Sequence, residues 1–194
     1  MKAKKVKKSV PALIMDVVIG VALLLAAVCF ACYYGGWLKN VVILWAGIVS
    51  FTVFYQLWLR ILFGKITARV SPRYSHPWFR EHAFEKRLYR LLQVRKWKEK
   101  VLTYDPEAFS VKKHTLEEIA MAMTKAETDH WFNVLLSLLM LLFAIPWGGF
   151  WVFLIAAIVG VLFDAQFIAV QRYNRPRVLR LLVKRRAKGM EERI

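Results

Sequence analysis

The chain has 194 residues, 58% of them hydrophobic, yet it carries 30 Lys and Arg against 13 Asp and Glu, a formal net charge of +17. A soluble domain of this length does not combine so apolar a composition with so much charge unless the two are segregated, and here they are: basic residues cluster at 2–8, 60–125 and 172–193, with apolar stretches between. Because the basic segments directly flank apolar spans, the charge points to anionic phospholipid headgroups or a phosphorylated substrate and away from nucleic acid.

Crossing the hydrocarbon as a helix takes about 20 residues, since backbone polar groups must be satisfied within the segment. The first predicted span runs from Val10 to Tyr34 and ends at Gly35-Gly36, too long a run for a signal-peptide core of about 7–15 residues. Cys29 and Cys32 lie inside it; zinc needs four ligands and no other cysteine exists, so both are expected to pack within the membrane helix. The second span runs from about Leu38 to Phe63, with Trp45 and Trp58 inside and Arg60 near its end. The third starts at Trp131 and ends near Trp147, where Pro146 and Gly148-Gly149 mark a turn; the fourth is Phe150 to Val170.

The central segment is predicted to be more than a linker. Ser71-Pro72 and His76-Pro77 read as extended chain, because the residue before proline is pushed out of the α region. From Phe79 to Leu102, Phe84, Leu88, Leu91, Leu92 and Val94 recur at helical spacing among Lys and Arg, the pattern of an amphipathic helix at a membrane surface. Thr115-Leu-Glu-Glu118 forms a capping-box signature that starts a further helix towards Trp131. The fold class expected is an all-α integral membrane protein, with about four transmembrane helices in two hairpins plus basic amphipathic cytoplasmic helices. Its parts are an N-terminal transmembrane hairpin (1–63), a basic cytoplasmic or interfacial helical segment (64–129), a C-terminal transmembrane hairpin (130–172) and a basic cytoplasmic tail (173–194).

Three groups of residues carry chemistry. Glu127 and His130 are three apart, neighbours on a helix face, where a carboxylate holds an imidazole as a general base or the pair is merely an interfacial anchor beside Trp131. The run Gln171-Arg172-Tyr173-Asn174-Arg175-Pro176-Arg177 follows the fourth span, and arginine forks bind phosphate or carboxylate bidentately. A charged flank alone accounts for the arginines, but not for Asn174 and Pro176 among them. Asp164 lies eight residues before Arg172, about 12 Å deeper, where a charge is costly; it marks a functional group or a structural partner of Arg60. Asp16 is shallower and reads as an interfacial polar group. His76-Pro-Trp-Phe-Arg-Glu81 resembles the His-x4-Asp arrangement of glycerolipid acyltransferases, with Glu for Asp, but the chain has no room for their soluble domain. No metal site, phosphate loop or nucleophile elbow is present in the sequence.

Val94-Arg-Lys-Trp-Lys98, Lys125-Ala-Glu-Thr-Asp-His130-Trp131 and Val170-Gln-Arg-Tyr-Asn-Arg-Pro-Arg177, in that order, resemble the glycosyl-4,4'-diaponeurosporenoate acyltransferase family over residues 77–187. The resemblance implies a small membrane enzyme that attaches a fatty acyl chain to the sugar of a glycosylated carotenoid in staphyloxanthin-type pigment synthesis. On that reading His130 is the base, Glu127 its orienting carboxylate, and Asn174 a donor to the developing oxyanion. Arg172, Arg175, Arg177, Lys96, Trp97, Lys98 and Asp164 form the substrate-binding set. The acyl donor is an anionic cytoplasmic co-substrate such as acyl-CoA or acyl carrier protein, with no cofactor bound. Two alternatives stay open: a lipid enzyme of other chemistry, for example on polyprenyl phosphates, and a non-catalytic scaffold gripping anionic lipid.

Orientation follows from the basic residues. Twenty-nine of the thirty flank one side of the predicted spans, and only Lys39 falls in the connections at 35–40 and 146–149. Both termini are therefore expected in the cytoplasm of the cell. A cysteine placed at Lys39 should react with an impermeant maleimide in intact cells, and one at Lys188 only after permeabilisation. The opposite labelling pattern would overturn this topology.

Overall fold

The computed structural model describes residues 10–67, 69, 72–101 and 106–191. The basic residues 2–8, Ser71 and Leu102 lie outside these. The helices are α1 (Val10–Tyr34), α2 (Val41–Thr67), α3 (Ala83–Leu91), α4 (Val94–Trp97), α5 (Leu116–Leu139), α6 (Ala144–Trp147) and α7 (Phe150–Glu191). Short 3-10 turns stand at Pro77–Phe79, Lys98–Lys100, Pro106–Phe109 and Met140–Phe143. No strand occurs among the described residues. Among the described residues, four helical stretches are long and apolar enough to cross a membrane: Ala12–Tyr34, Val41–Thr67, Leu116–Trp147 and Phe150–Gly189. The chain is thus an all-α membrane protein, as its sequence pattern predicts.

Two compact units divide the chain, Met1–Leu62 and Phe63–Ile194. In the first, α1 closes on Gly35, whose N–H bonds the Ala31 carbonyl at 2.8 Å, and Gly36, whose φ of +82° a side chain would resist. Asn40 then starts α2, its side-chain oxygen accepting the Val42 N–H at 2.9 Å. Ala12, Ala22, Ala26 and Ile48 are buried, so the contact uses small residues that let backbones approach, the usual device where lipid removes any hydrophobic drive between helices. Leu13, Val17, Leu24 and Val42 are exposed, which suits a hydrocarbon surround rather than water. Cys29 and Cys32 are free thiols, half-buried in α1.

The second unit is built on α5 packed against α7. Phe153, Ala157, Gly160, Asp164, Ile168, Gln171 and Arg175 are buried on α7, spaced by three or four residues, which traces one seam along the helix. Leu116, Ile119, Ala120, Met123, Thr124 and Glu127 do the same on α5. Thr115 accepts from the Glu118 N–H at 3.2 Å while Glu118 accepts from the Thr115 N–H at 2.8 Å, the reciprocal cap read from the sequence. From there α5 continues without a break into the third span. The fourth span also runs on: α7 passes through Pro176 to Glu191, so residues 173–191 of the basic tail are helical.

The single amphipathic helix expected from Phe79 to Leu102 is corrected to α3 and α4, separated at Gln93, whose φ is +50°. Glu85 and Tyr89 face inward on α3. An unbroken helix would next turn Gln93 and Lys96 inward; the left-handed residue resets the phase and buries Val94 instead. Phe84, Leu88, Leu91 and Leu92 stay exposed, an apolar face turned away from the protein.

A Cβ on Gly47 would stand 2.9 Å from the Phe30 ring and 3.1 Å from the Cys29 Cβ, whereas one on Gly20 meets nothing within 4 Å. Gly47→Leu should lower the thermal unfolding midpoint of detergent-purified protein, and Gly20→Leu should leave it unchanged. Equal midpoints for the two variants would refute the close approach of α1 and α2.

Candidate active site

The second unit holds a buried four-charge cluster. Glu127, fully buried on α5, accepts from Arg172 Nε at 2.7 Å and from Arg175 Nη1 at 2.6 Å, both on α7. Arg172 also donates to the Glu85 carboxylate of α3 and, through Nη2, to the Trp78 carbonyl at 2.5 Å. Arg175 donates to the Phe79 carbonyl at 2.9 Å and lies over the Phe79 ring. Tyr89 completes the set with a hydrogen bond to Glu85 at 3.3 Å. Burial, with the Glu85 carboxylate beside it, holds the Tyr89 phenol well above its ordinary value of 10.0, so it remains the donor. Two carboxylates meet two guanidinium groups, and Nη2 of each arginine donates to a backbone carbonyl of the Pro77–Phe79 turn, while the Arg175 Nε is buried without a hydrogen-bond partner among the described residues. That turn is fixed in its own right by Pro77 at its start and by His76, whose Nδ1 accepts the Trp78 N–H at 3.2 Å.

This cluster corrects two expectations. Glu127 does not hold His130: the i, i+3 spacing makes their Cβ atoms neighbours, but the Glu127 side chain turns into the seam where two guanidinium groups neutralise it. Arg172 and Arg175 are not open forks for a substrate anion, because both turn into the protein to bond Glu127 and the Pro77–Phe79 turn, and Arg175 is 1% exposed.

His130 has a different partner. Its Nδ1 lies 2.8 Å from Oδ1 of Asp164, which is fully buried on α7, and Asn133 Nδ2 donates to the same oxygen at 3.3 Å. The imidazole stacks on Phe167 with centroids 4.5 Å apart and planes at 4°. An ionised Asp164 accepts from Nδ1–H, which leaves the Nε2 lone pair as the basic site of a ring held in one orientation. Asp164 is thus brought to the imidazole that the sequence assigned to Glu127.

The other predicted residues sit nearer the C-terminal half of α7. Lys98 Nζ donates to Asn174 Oδ1 at 3.2 Å, which joins two of the sequence motifs. Asn174 stands ten residues from Asp164, about 15 Å along the helix, too far to stabilise an oxyanion formed at His130. Arg177 is exposed and stacks on Tyr173 at 3.7 Å from the ring centroid. Lys96 is exposed, and Trp97 donates its indole N–H to the Leu92 carbonyl at 2.9 Å, capping α3. Glu85, Tyr89, Asn133 and Phe167 were not anticipated. Only Asn133 had a signal, one helical turn from His130.

A family model for glycosyl-4,4'-diaponeurosporenoate acyltransferase matches residues 75–184, more than half of the chain and the whole of both clusters. The chain belongs to that family. The protein is accordingly an acyltransferase of carotenoid biosynthesis, associated with the membrane. No curated relative matches the chain, and no solved structure does.

Removing one member of a buried, hydrogen-bonded charge set leaves its partners uncompensated, at a cost of about 3–5 kcal/mol. Glu127→Ala should therefore unfold in detergent at a markedly lower temperature than the parent. An unchanged midpoint would show that Arg172 and Arg175 are not held by Glu127.

Proposed function

We propose that this acyltransferase moves a fatty acyl chain onto a hydroxyl of a glycosylated carotenoid or related membrane lipid at the cytoplasmic leaflet, with His130 as general base and Asp164 as the group that orients it. The 2.8 Å contact between His130 Nδ1 and the buried Asp164 carboxylate carries this reading. The acceptor hydroxyl gives its proton to Nε2 as its oxygen attacks the acyl carbonyl. Asp164 stabilises the imidazolium that forms, and collapse of the tetrahedral intermediate expels the donor's thiolate, which takes the proton back from His130. Stacking on Phe167 covers one face of the ring and holds its orientation towards the carboxylate.

The donor is a thioester on an anionic carrier, such as acyl-CoA or acyl carrier protein. With Arg172 and Arg175 committed internally, Lys96, Lys98 and Arg177 are the members of the predicted set left to attract it. Asn174 and Arg177 lie about 15–20 Å along α7 from Asp164, a span suited to a long flexible arm between carrier and thioester. The same closure of Arg172 and Arg175 disfavours a polyprenyl-phosphate enzyme, which would need open phosphate forks. The cytoplasmic leaflet follows from the one-sided basic flanks, and the exposed Phe84–Leu92 face of α3 would lie on its anionic phospholipid headgroups.

His130→Ala should cut acyl transfer to extracted glycolipid by about 10²–10⁴-fold in protein that inserts and purifies normally. Asp164→Asn should also lose on the order of 10²-fold or more, because an amide both weakens the imidazolium and favours the wrong tautomer. Near-parental turnover in folded His130→Ala would remove this histidine from the mechanism.

A further inference from the structure

A groove of about 540 Å³ lies between the Pro72–Phe79 segment and α5, within the size range of small-molecule sites. Its walls are Trp78, Phe79, Trp131, Phe132 and Leu135, and its polar members include Arg73 and His76. Trp78 and Trp131 meet edge to face at 6.0 Å, so one side is built from two interlocked indoles. Leu135 is 52% exposed and Trp131 40%, so this apolar surface is open to its surroundings. His76 accepts the Trp78 N–H on Nδ1, which leaves its neutral ring a donor at Nε2. Arg73 is exposed, and its guanidinium has no carboxylate partner among the described residues.

The register of α5 separates this groove from the proposed base. Thr128, Trp131, Phe132 and Leu135 recur every three or four residues and mark one flank of the helix. At about 100° per residue, His130 falls on the other flank, facing Asp164 across the seam. A chain lying in the groove is therefore not presented to His130, so the groove does not suit the acyl donor. It does suit a molecule whose tail runs along the apolar part of a membrane span and whose anionic head meets an arginine and a donor histidine on the adjoining polar segment.

We infer that this groove is a binding site for an anionic phospholipid, one acyl chain against Trp78, Trp131, Phe132 and Leu135 and the phosphate on Arg73 and His76. The bound lipid ties the Pro72–Phe79 segment to α5, and with it the turn whose carbonyls receive Arg172 and Arg175. The inference does not depend on the role given to His130, because its test reads lipid binding and not turnover.

The full-length protein, reconstituted with phosphatidylglycerol or phosphatidylcholine and released into detergent, is weighed by native mass spectrometry. The parent should keep one phosphatidylglycerol in preference to phosphatidylcholine. Leu135→Trp, which fills the groove, and Arg73→Gln, which removes its cation, should each lower that retention by about tenfold. Leu162→Trp, at an exposed site on α7, should leave it unchanged. Both groove positions are exposed, so the variants are expected to fold, and circular dichroism with a thermal melt checks this. Equal retention of the two lipids by the parent, or retention unmoved in both groove variants, overturns the proposal. So does displacement of phosphatidylglycerol by palmitoyl-CoA, which would make the groove a donor site instead.

Discussion

The buried Glu127 carboxylate, shared between Arg172 and Arg175, is the constraint on which the second unit depends. A carboxylate at that position could not remain ionised in an apolar seam alone, nor could two guanidinium groups. Together they are compatible with burial, and the surplus arginine donors reach outward to Glu85 and to the carbonyls of Trp78 and Phe79. One charge on α5 thereby fixes the rotation of α7, the seat of α3 and the course of the Pro77–Phe79 turn. Asp164 lies on the same α7 seam as Arg175, eleven residues away, so the rotation that satisfies Glu127 also turns Asp164 to His130.

Much of this architecture was legible in the sequence. The Gly35-Gly36 and Gly148-Gly149 turns, the Thr115–Glu118 cap and the length of the apolar runs are local signals, each complete within a few residues. The same is true of the charge segregation. What could not be read were choices made between distant residues. Glu127 and His130 are neighbours by helical spacing, but which side chain each one meets is decided by residues 34 to 48 positions away. Nor does an arginine in a basic flank announce that it is neutralised internally; Arg172 and Arg177 look alike in the sequence and differ only in what α5 presents to them. The break at Gln93 was hidden for a related reason. Leu91, Leu92 and Val94 fit a helical pattern well, and the left-handed Gln93 changes the phase so that Val94 is buried.

The division of labour among the arginines bears on how a small membrane enzyme can be both charged and stable. Those on the α5-facing side of α7 are bonded within the protein, and those turned outward, such as Arg177, stay exposed and keep their hydration. The His130–Asp164 pair lies between the same two helices and shares that frame. This is consistent with the family match, which spans both clusters and the helices that carry them.

The uninterrupted course of α7 has a consequence for how the protein sits in lipid. At 1.5 Å per residue its 42 residues extend about 63 Å, roughly twice the thickness of a bilayer's hydrocarbon. A helix so long has no vertical position set by its length alone. The charge ring at Arg172 and Arg175 supplies one, because it resists being drawn into the hydrocarbon, while the apolar run before it resists leaving. Thinner or thicker membranes are then accommodated by tilt and not by sliding. The imidazole held by Asp164, eight residues inside Arg172 on α7, then keeps a constant depth relative to that ring.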